Sequence, residues 1–233
     1  GPEALERAEY LIKKDVDAIV IDGAHADTGT MIETLQQMKK MSTIDIIIGN
    51  ISEPGSAKRL LDAGADGIKV GQGPGSICTT RPIAGVGCPQ VTAIYNCARE
   101  ARSYGVPVCG DGGLKYSGDI TIAIGAGADS VMMGSMLAGT KEAPGKLEIL
   151  EGRQWKTYRG MGSLGAMEQS KDSRERYRQQ STGKDQLVPE GVEGLIPYRG
   201  ELSAVMIQYL GGFRRGMGYV GAASIRELQE KAD

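Results

Sequence analysis

Val16-Asp17-Ala18-Ile19-Val20-Ile21-Asp22 returns as Ala65-Asp66-Gly67-Ile68-Lys69-Val70-Gly71, and again as Ala128-Asp129-Ser130-Val131-Met132-Met133-Gly134. Each copy is a short apolar run that follows a helix-like stretch and ends in a polar residue or glycine. That is the pattern of a buried strand leading into a loop. Two further apolar runs, Ile44 to Ile48 and Val106 to Cys109, fit between the copies. Amphipathic segments separate the runs: Glu3 to Lys14, Thr30 to Lys40, Ser56 to Ala63, Gln90 to Tyr104 and Ser117 to Ala126. This alternation predicts parallel βα units, with strands opening near residues 16, 44, 66, 106 and 129. The unusual residues lie in the loops after the strands, where a (β/α)-barrel carries its chemistry. Five strands do not close an eight-stranded barrel. The chain therefore reads either as about the last five βα units of a (β/α)8 TIM barrel or as an open doubly wound sheet.

Composition narrows the function. The 233 residues are 40% apolar, enough for one large α/β domain or a sizeable part of one. A formal charge of −2 without a long basic run argues against nucleic acid as the main partner. Glycine is frequent, at 35 residues, and aromatics are scarce at 5%, which suits tight loops approaching a ligand. Cys78, Cys88, Cys97 and Cys109 form no CxxC pair and no metal-ligand spacing, so a reducing, cytoplasmic compartment is expected. Cys97 and Cys109 read as small buried residues. No run approaches the ~18 apolar residues of a membrane span, and no signal peptide is visible.

The glycine-rich stretch Gly71-Gln72-Gly73-Pro74-Gly75-Ser76-Ile77-Cys78-Thr79-Thr80-Arg81 is the strongest chemical signal. Its glycines let the backbone approach a ligand closely, and a thiolate at Cys78 is a nucleophile for an electrophilic carbon. The alternative is a small core cysteine, against which the flanking Ser and Thr residues argue. Asp111-Gly112-Gly113 ends the next strand. Its carboxylate suits the vicinal hydroxyls of a ribose, or forms a local turn. Gly134-Ser135 ends the last strand and fits a phosphate cradle, so a phosphoribosyl ligand reconciles the two. Asp22, His25, Asn50 and Lys69 lie at or near earlier strand ends. His25 reads as a base or a locally bonded loop residue, and Lys69 as a mouth residue or a salt-bridged one.

Beyond the strands, Gln169 to Gln186 is almost without apolar residues. It reads as a solvated disordered loop or as a mobile lid. Ala204 to Tyr209 and Ser224 to Lys231 read as helices, divided by a glycine-rich turn around Gly211, Gly212, Gly216 and Gly218.

Taken together, these motifs resemble the later part of the bacterial-type inosine 5′-monophosphate (IMP) dehydrogenases, in the IMP dehydrogenase/GMP reductase family. The likeness rests on Gly71 to Arg81, Gly85-Val86-Gly87 followed by Pro89-Gln90, and Asp111-Gly112-Gly113. It continues through Met133 to Gly139, Tyr158 to Ser163, Arg176-Tyr177 and Pro189-Glu190-Gly191. The resemblance implies a catalytic barrel over residues 1–233 with a mobile flap over about 168–195. The early barrel strands, the regulatory pair of cystathionine-synthase-like (CBS) subdomains and the C-terminal tail that completes a neighbour's potassium site are expected to be absent.

It further implies oxidation of IMP to xanthosine 5′-monophosphate (XMP) with NAD as cofactor. Cys78 forms the covalent thioimidate, and Arg176, with Tyr177 beside it, activates water. Thr80 and Glu190 match an alternative proton relay. Ser76, Asp111, Gly113, Gly134, Ser135 and Tyr158 match the ribose and phosphate positions, and Met161, Gly162 and Glu190 those facing the base. Asp22, Asn50 and Gly71 match cofactor-side positions. The backbone carbonyls of Gly73, Gly75 and Cys78 match a potassium site. A cytoplasmic homotetramer is implied, with no nucleic-acid or membrane partner. Gly23 stands where the family usually has Ser or Thr, which removes a hydroxyl contact from the nicotinamide side. The rival readings are a GMP reductase, favoured less because it needs no hydrolytic water and lacks the arginine flap, and a catalytically silent nucleotide-binding piece.

Overall fold

A computed structural model describes residues 1–232. In chain order the regular elements are α1 (Pro2–Ile12), β1 (Ala18–Asp22), α2 (Gly29–Met41), β2 (Asp45–Ile51), α3 (Pro54–Asp62) and β3 (Gly67–Val70). Next come α4 (Thr80–Ala84), α5 (Gln90–Tyr104), β4 (Val108–Asp111), α6 (Ser117–Gly125), β5 (Ser130–Met132) and α7 (Ser135–Ala138). The remainder holds β6 (Leu147–Leu150), β7 (Arg153–Arg159), α8 (Leu164–Gln169), α9 (Lys171–Arg176), β8 (Glu193–Pro197), α10 (Leu202–Val220) and α11 (Ile225–Lys231). A 3-10 turn covers Lys184–Gln186.

Strands β1 to β5 form one sheet in sequence order, and the pairs β1–β2, β2–β3 and β3–β4 are parallel. Two compact units share the chain. One holds Gly1–Gln72, Cys88–Gly110 and Ala126–Ser130; the other holds Gly73–Gly87, Asp111–Gly125 and the chain from Val131 onward.

In the first unit the sequence repeat has a physical cause. Asp66 donates its backbone N–H to Ile46 O (2.9 Å) while its carboxylate accepts Ile46 N–H (2.8 Å). Asp129 does the same to Val108, at 2.8 Å in both directions. Each Ala-Asp pair thus ties down the start of the neighbouring strand, whose backbone groups need partners there. Lys39 holds the Asp66 carboxylate from α2 at 2.7 Å. Ile46, Ile48, Ile51, Ile68 and Val70 from the strands are fully buried, as are Leu35, Ala57, Leu60, Ala93 and Cys97 from the helices. Each large aliphatic among them contributes about 1.5–3 kcal/mol relative to exposure. Every residue of β3 is buried, as a strand covered on both faces requires.

The second unit contains an antiparallel sheet, β6–β7–β8, that the strand pattern does not foretell. Its first hairpin turns at Glu151-Gly152, both with positive φ (50° and 73°). Such a two-residue turn matches the twist of the paired strands.

The structure corrects one expectation here. Gly211, Gly212, Gly216 and Gly218 do not form a turn: α10 runs through all four to Gly221, whose φ of 71° ends it. A Cβ on Gly212 would meet Ser117 Cβ at 2.5 Å, and one on Gly216 would meet Thr121 Cγ2 at 2.6 Å. The two glycines, one turn apart, form a groove into which α6 packs. Close helix contact thereby overrides glycine's poor helix propensity. The polar stretch from Gln169 to Gln186 also contains structure. Ser170 caps α9 by accepting Ser173 N–H at 3.3 Å. Among the described residues no helix is long and apolar enough to cross a membrane.

Candidate active site

Within the second unit, residues 73–87 fold back on the stem of Arg81. A Cβ on Gly73 or on Gly87 would meet Arg81 Cγ at 2.7 Å, and both glycines have positive φ (73° and 157°). Cys78 N–H closes the turn onto Gly75 O at 3.1 Å. The Cys78 thiol is half-buried, with its Sγ 3.3 Å from Thr80 Oγ1. Gly191 pairs with Cys78 as an isolated antiparallel bridge. Thr79 N–H donates to Glu190 O and Val192 N–H to Ile77 O, both at 2.9 Å. On the other side of that segment, Glu190 N–H reaches Gly162 O (2.9 Å) and Gly160 N–H reaches Val192 O (3.0 Å). Residues 190–192 are therefore a seam between the cysteine loop and the Gly160–Ser163 loop. A Cβ on Gly191 would meet backbone atoms of Ser163 and Gly162 at 3.0 and 3.1 Å, so the seam admits only glycine without displacement.

The lid residues converge on the same place. Tyr177 caps α9, and its ring lies so close to Gly162 that a Cβ there would meet ring atoms at 2.6 to 3.0 Å. Burial raises the Tyr177 hydroxyl above its ordinary range; the charge and hydrogen bond of Arg176 oppose this, while Cys78 and Glu190 push it further up. Cys78, Thr80, Arg176, Tyr177, Glu190 and Gly162 thus form one cluster. Met161 beside it is exposed.

A second group lies at the strand ends of this unit. Gly112 and Gly113 have φ of 83° and 84°, and a Cβ on them would meet Pro74 of the cysteine loop at 3.5 and 3.0 Å. Gly112 N–H donates to Met132 O at 3.1 Å, joining the loop after β4 to β5. Gly134 precedes α7, and a Cβ there would lie 2.5 Å from the Tyr158 hydroxyl. Burial raises Tyr158 above the ordinary tyrosine range, and the negative charge of Asp111 adds to it. Asp111, Gly134, Ser135 and Tyr158 are thereby one neighbourhood, offering hydroxyl and backbone donors beside a carboxylate. Ser76 and Gly113 are exposed nearby in the sequence of their loops.

In the first unit, Lys69 is 4% exposed, yet it is charged by type. Its Nζ lies 3.0 Å from Asp22 Oδ1 and donates to Asn50 Oδ1 at 2.5 Å. Asn50 donates in turn to Gly71 O at 2.7 Å. Gly49 makes this possible, since a Cβ there would meet Lys69 Cβ at 2.6 Å. Asn50 is thus engaged internally, while Asp22 keeps a third of its carboxylate side exposed. Gln72, 6% exposed, accepts from Ser52 Oγ at 2.6 Å and approaches His25 Nδ1 at 2.8 Å. Sequence reasoning left Lys69 ambiguous and missed Gln72 and Ser52. A lone Gln set among the glycines of Gly71 to Gly75 was the available signal. Cys97 is a core thiol as expected, pushed up to about 12 by burial. Cys109 is half-buried, contrary to expectation, because β4 alternates buried and half-buried positions. Among the described residues no cluster of His, Cys, Asp and Glu has the makings of a metal site.

The IMP dehydrogenase / GMP reductase domain model matches residues 1–233. Inosine-5′-monophosphate dehydrogenase of Helicobacter pylori is 52% identical over the whole chain, which covers 48% of that protein. The enzyme of the same name from Aquifex aeolicus is likewise 52% identical, with 47% of its length covered. A crystal structure of a cysteine-to-alanine variant of GMP reductase from Trypanosoma brucei, in complex with guanosine 5′-monophosphate, superposes with a TM-score of 0.88 at 46% identity. That match covers 97% of this chain and 46% of the other. The chain spans about half the length of the curated relatives it matches.

Proposed function

The chain belongs to the IMP dehydrogenase / GMP reductase family, and from that premise we propose that it carries the nucleophile, nucleotide cradle and flap of an enzyme that oxidises IMP to XMP with NAD. Its five parallel βα units are then part of the family's (β/α)8 barrel, the alternative of an open doubly wound sheet being set aside by the likeness to that family.

The Cys78 thiolate adds to C2 of the hypoxanthine ring, forming a C–S bond. Bound NAD supplies the hydride acceptor for the hydrogen leaving C2. The resulting thioimidate on Cys78 is then hydrolysed: water adds at C2, the C–S bond breaks, and XMP leaves with the thiol restored. Thr80, 3.3 Å from Sγ, is placed to exchange a proton with the sulfur. Arg176 and Tyr177 take the water-activating role, with Thr80 and Glu190 as the second route. A free guanidinium is a poor base, so Arg176 depends on the half-buried setting it shares with Tyr177. Asp111 takes the ribose hydroxyls; Ser76, Gly113, Gly134, Ser135 and Tyr158 take the phosphate; Met161 and Gly162 face the base.

Asp22 fits the dinucleotide side because its carboxylate is partly exposed and backed by the Lys69 cation. Gly71 and Asn50 hold that corner by their mutual hydrogen bond. The carbonyls of Gly73, Gly75 and Cys78 are hard oxygen donors of the kind potassium takes. Gly75 O already accepts Cys78 N–H and keeps its second lone pair. The cation would fix the loop that aims Cys78. A cytoplasmic homotetramer belongs to the same proposal, as does the flap over 168–195.

The observation that carries the reading is the convergence of Cys78 and Thr80 with Tyr177 and Glu190 along the 190–192 seam. Reduction of GMP, the rival activity, has no use for a water-activating arginine beside the nucleophile. The test is NADH production from IMP and NAD in the presence of potassium, with Cys78→Ala as control. NADH from the parent alone supports the proposal. NADPH consumption with GMP, and none of the former, would replace it with the reductase.

A further inference from the structure

Gln72 is a polar side chain almost without solvent contact, and its hydrogen bonds settle more than its own position. Its Nε2 lies 3.3 Å from Ala24 O and 2.8 Å from His25 Nδ1, and its Oε1 accepts from Ser52 Oγ at 2.6 Å. A carbonyl only accepts, so the Gln72 atom facing Ala24 is the NH2 group. That group's second hydrogen then points at His25 Nδ1, which must be the unprotonated ring nitrogen. His25 is exposed, and its remaining ring nitrogen, Nε2, bears the proton. Asp27 on the same loop is held by Ser56 Oγ and by Arg59 Nε, each at 2.8 Å, and lies close enough to His25 for the two to interact by charge.

We infer that Gln72 is a positioning residue. It fastens the loop after β1 to the root of the cysteine loop's own strand and fixes His25 as the neutral Nε2–H tautomer. A ligand taken up on that loop therefore meets a hydrogen-bond donor at His25, not an acceptor. On the function proposed above, that ligand is the dinucleotide, and its acceptor oxygens or ring nitrogens are what His25 is set to meet. Ser52 completes the fastening by holding Oε1, while Ala24 O alone fixes which way the amide faces.

His25 is the chain's sole histidine, so its ring nitrogens are read without assignment by long-range 1H–15N correlation at a pH above the ordinary histidine range. The parent is expected to show a protonated Nε2 and a bare Nδ1. Gln72→Met, of similar length, is expected to give averaged shifts from two exchanging tautomers. Gln72→Glu offers a carboxylate in place of the NH2 and is expected to move the proton to Nδ1. Ser52→Ala, which spares both NH2 contacts, is expected to keep the parent's tautomer and guards against misfolding as the cause of any change. Averaged shifts or a protonated Nδ1 in the parent would overturn the inference. In turnover, Gln72→Met is expected to raise KM for NAD by roughly threefold to tenfold, the worth of one hydrogen bond, with KM for IMP unchanged; equal KM for NAD in both would overturn the positioning role. The tautomer reading needs no catalysis. A pinned tautomer in a parent that takes up no NAD counts against the proposed function, whereas an averaged tautomer in an active parent counts against the network alone.

Discussion

Four glycines in one helix make opposite predictions under the same substitution. Gly211 and Gly218 of α10 face open space, with nothing within 4 Å of an added Cβ. Alanine there recovers helix propensity and nothing else, so Gly211→Ala and Gly218→Ala should each stabilise by about 0.5–1 kcal/mol. Gly212 and Gly216 face Ser117 and Thr121 of α6, with Cβ approaches of 2.5 Å to Ser117 Cβ and 2.6 Å to Thr121 Cγ2. A rotamer change cannot move Ser117 Cβ, and Thr121 is stiff at χ1, so the helices must part. Overpacking of this kind costs about 1–3 kcal/mol, which outweighs the propensity gain of up to about 1. Gly212→Ala and Gly216→Ala should therefore destabilise. Urea denaturation resolves the signs: with slopes of about 1–3 kcal/mol/M, a 1 kcal/mol change moves the midpoint by about 0.5 M. Ser117→Gly removes the opposing Cβ and Oγ, leaving Cα at 3.8 Å, and should rescue much of the Gly212→Ala loss as a coupling energy in a double-mutant cycle. A stabilised Gly212→Ala would refute the close α6–α10 contact. Destabilised Gly211→Ala and Gly218→Ala would refute the continuous helix.

Arg59 and Ser56 hold the Asp27 carboxyl at about 2, below its ordinary 3.8, with burial opposing them. A depressed acid stabilises the folded state above its unfolded pKa, so this contribution should be lost as pH falls from about 4 towards 2, and Arg59→Ala should flatten that part of the stability curve. Lys69→Met removes the Nζ donor from the buried Asn50 Oδ1, at about 1–3 kcal/mol, while Asp22 is partly rehydrated; thermal unfolding should show a loss within that range and not the larger loss of a fully buried orphan charge. Gly162→Ala must displace the Tyr177 ring. On the proposed function, in which hydrolysis and not hydride transfer uses the flap, rapid mixing should then show a first burst of NADH followed by slowed turnover.

Strands β2 and β3 were legible because buried parallel strands announce themselves as apolar runs; β1 and β5 carry the same runs although most of their residues are exposed, contrary to the buried strands expected of them. The repeated Asp66 and Asp129 have a local job at the start of the neighbouring strands. The β6–β7–β8 sheet was not legible. Its strands are largely exposed, and Arg153 to Arg159 interleaves charged and aromatic residues without a clean period. The glycines of α10 misled because glycine usually interrupts helices, and only the tertiary partner across the groove explains them. In the candidate site, Cys78 stood out through its loop. Tyr177 meets Gly162 through its ring, which only the missing Cβ admits; Glu190 meets Thr79, more than a hundred residues away, through a backbone bond that leaves no trace in side-chain chemistry. Gln72 stayed hidden for a related reason: its partners Ser52 and His25 come from loops after two other strands.

The central claim is that Cys78 forms a covalent bond to the purine ring of IMP. Acid-quenching the protein during turnover with IMP, NAD and potassium, followed by mass analysis of the peptide carrying Cys78, tests it directly. The account predicts a nucleotide adduct on that peptide in the parent, accumulating further in Gly162→Ala and absent from Cys78→Ala. NADH formation with no adduct on Cys78, or an adduct formed only with GMP and NADPH, would contradict it.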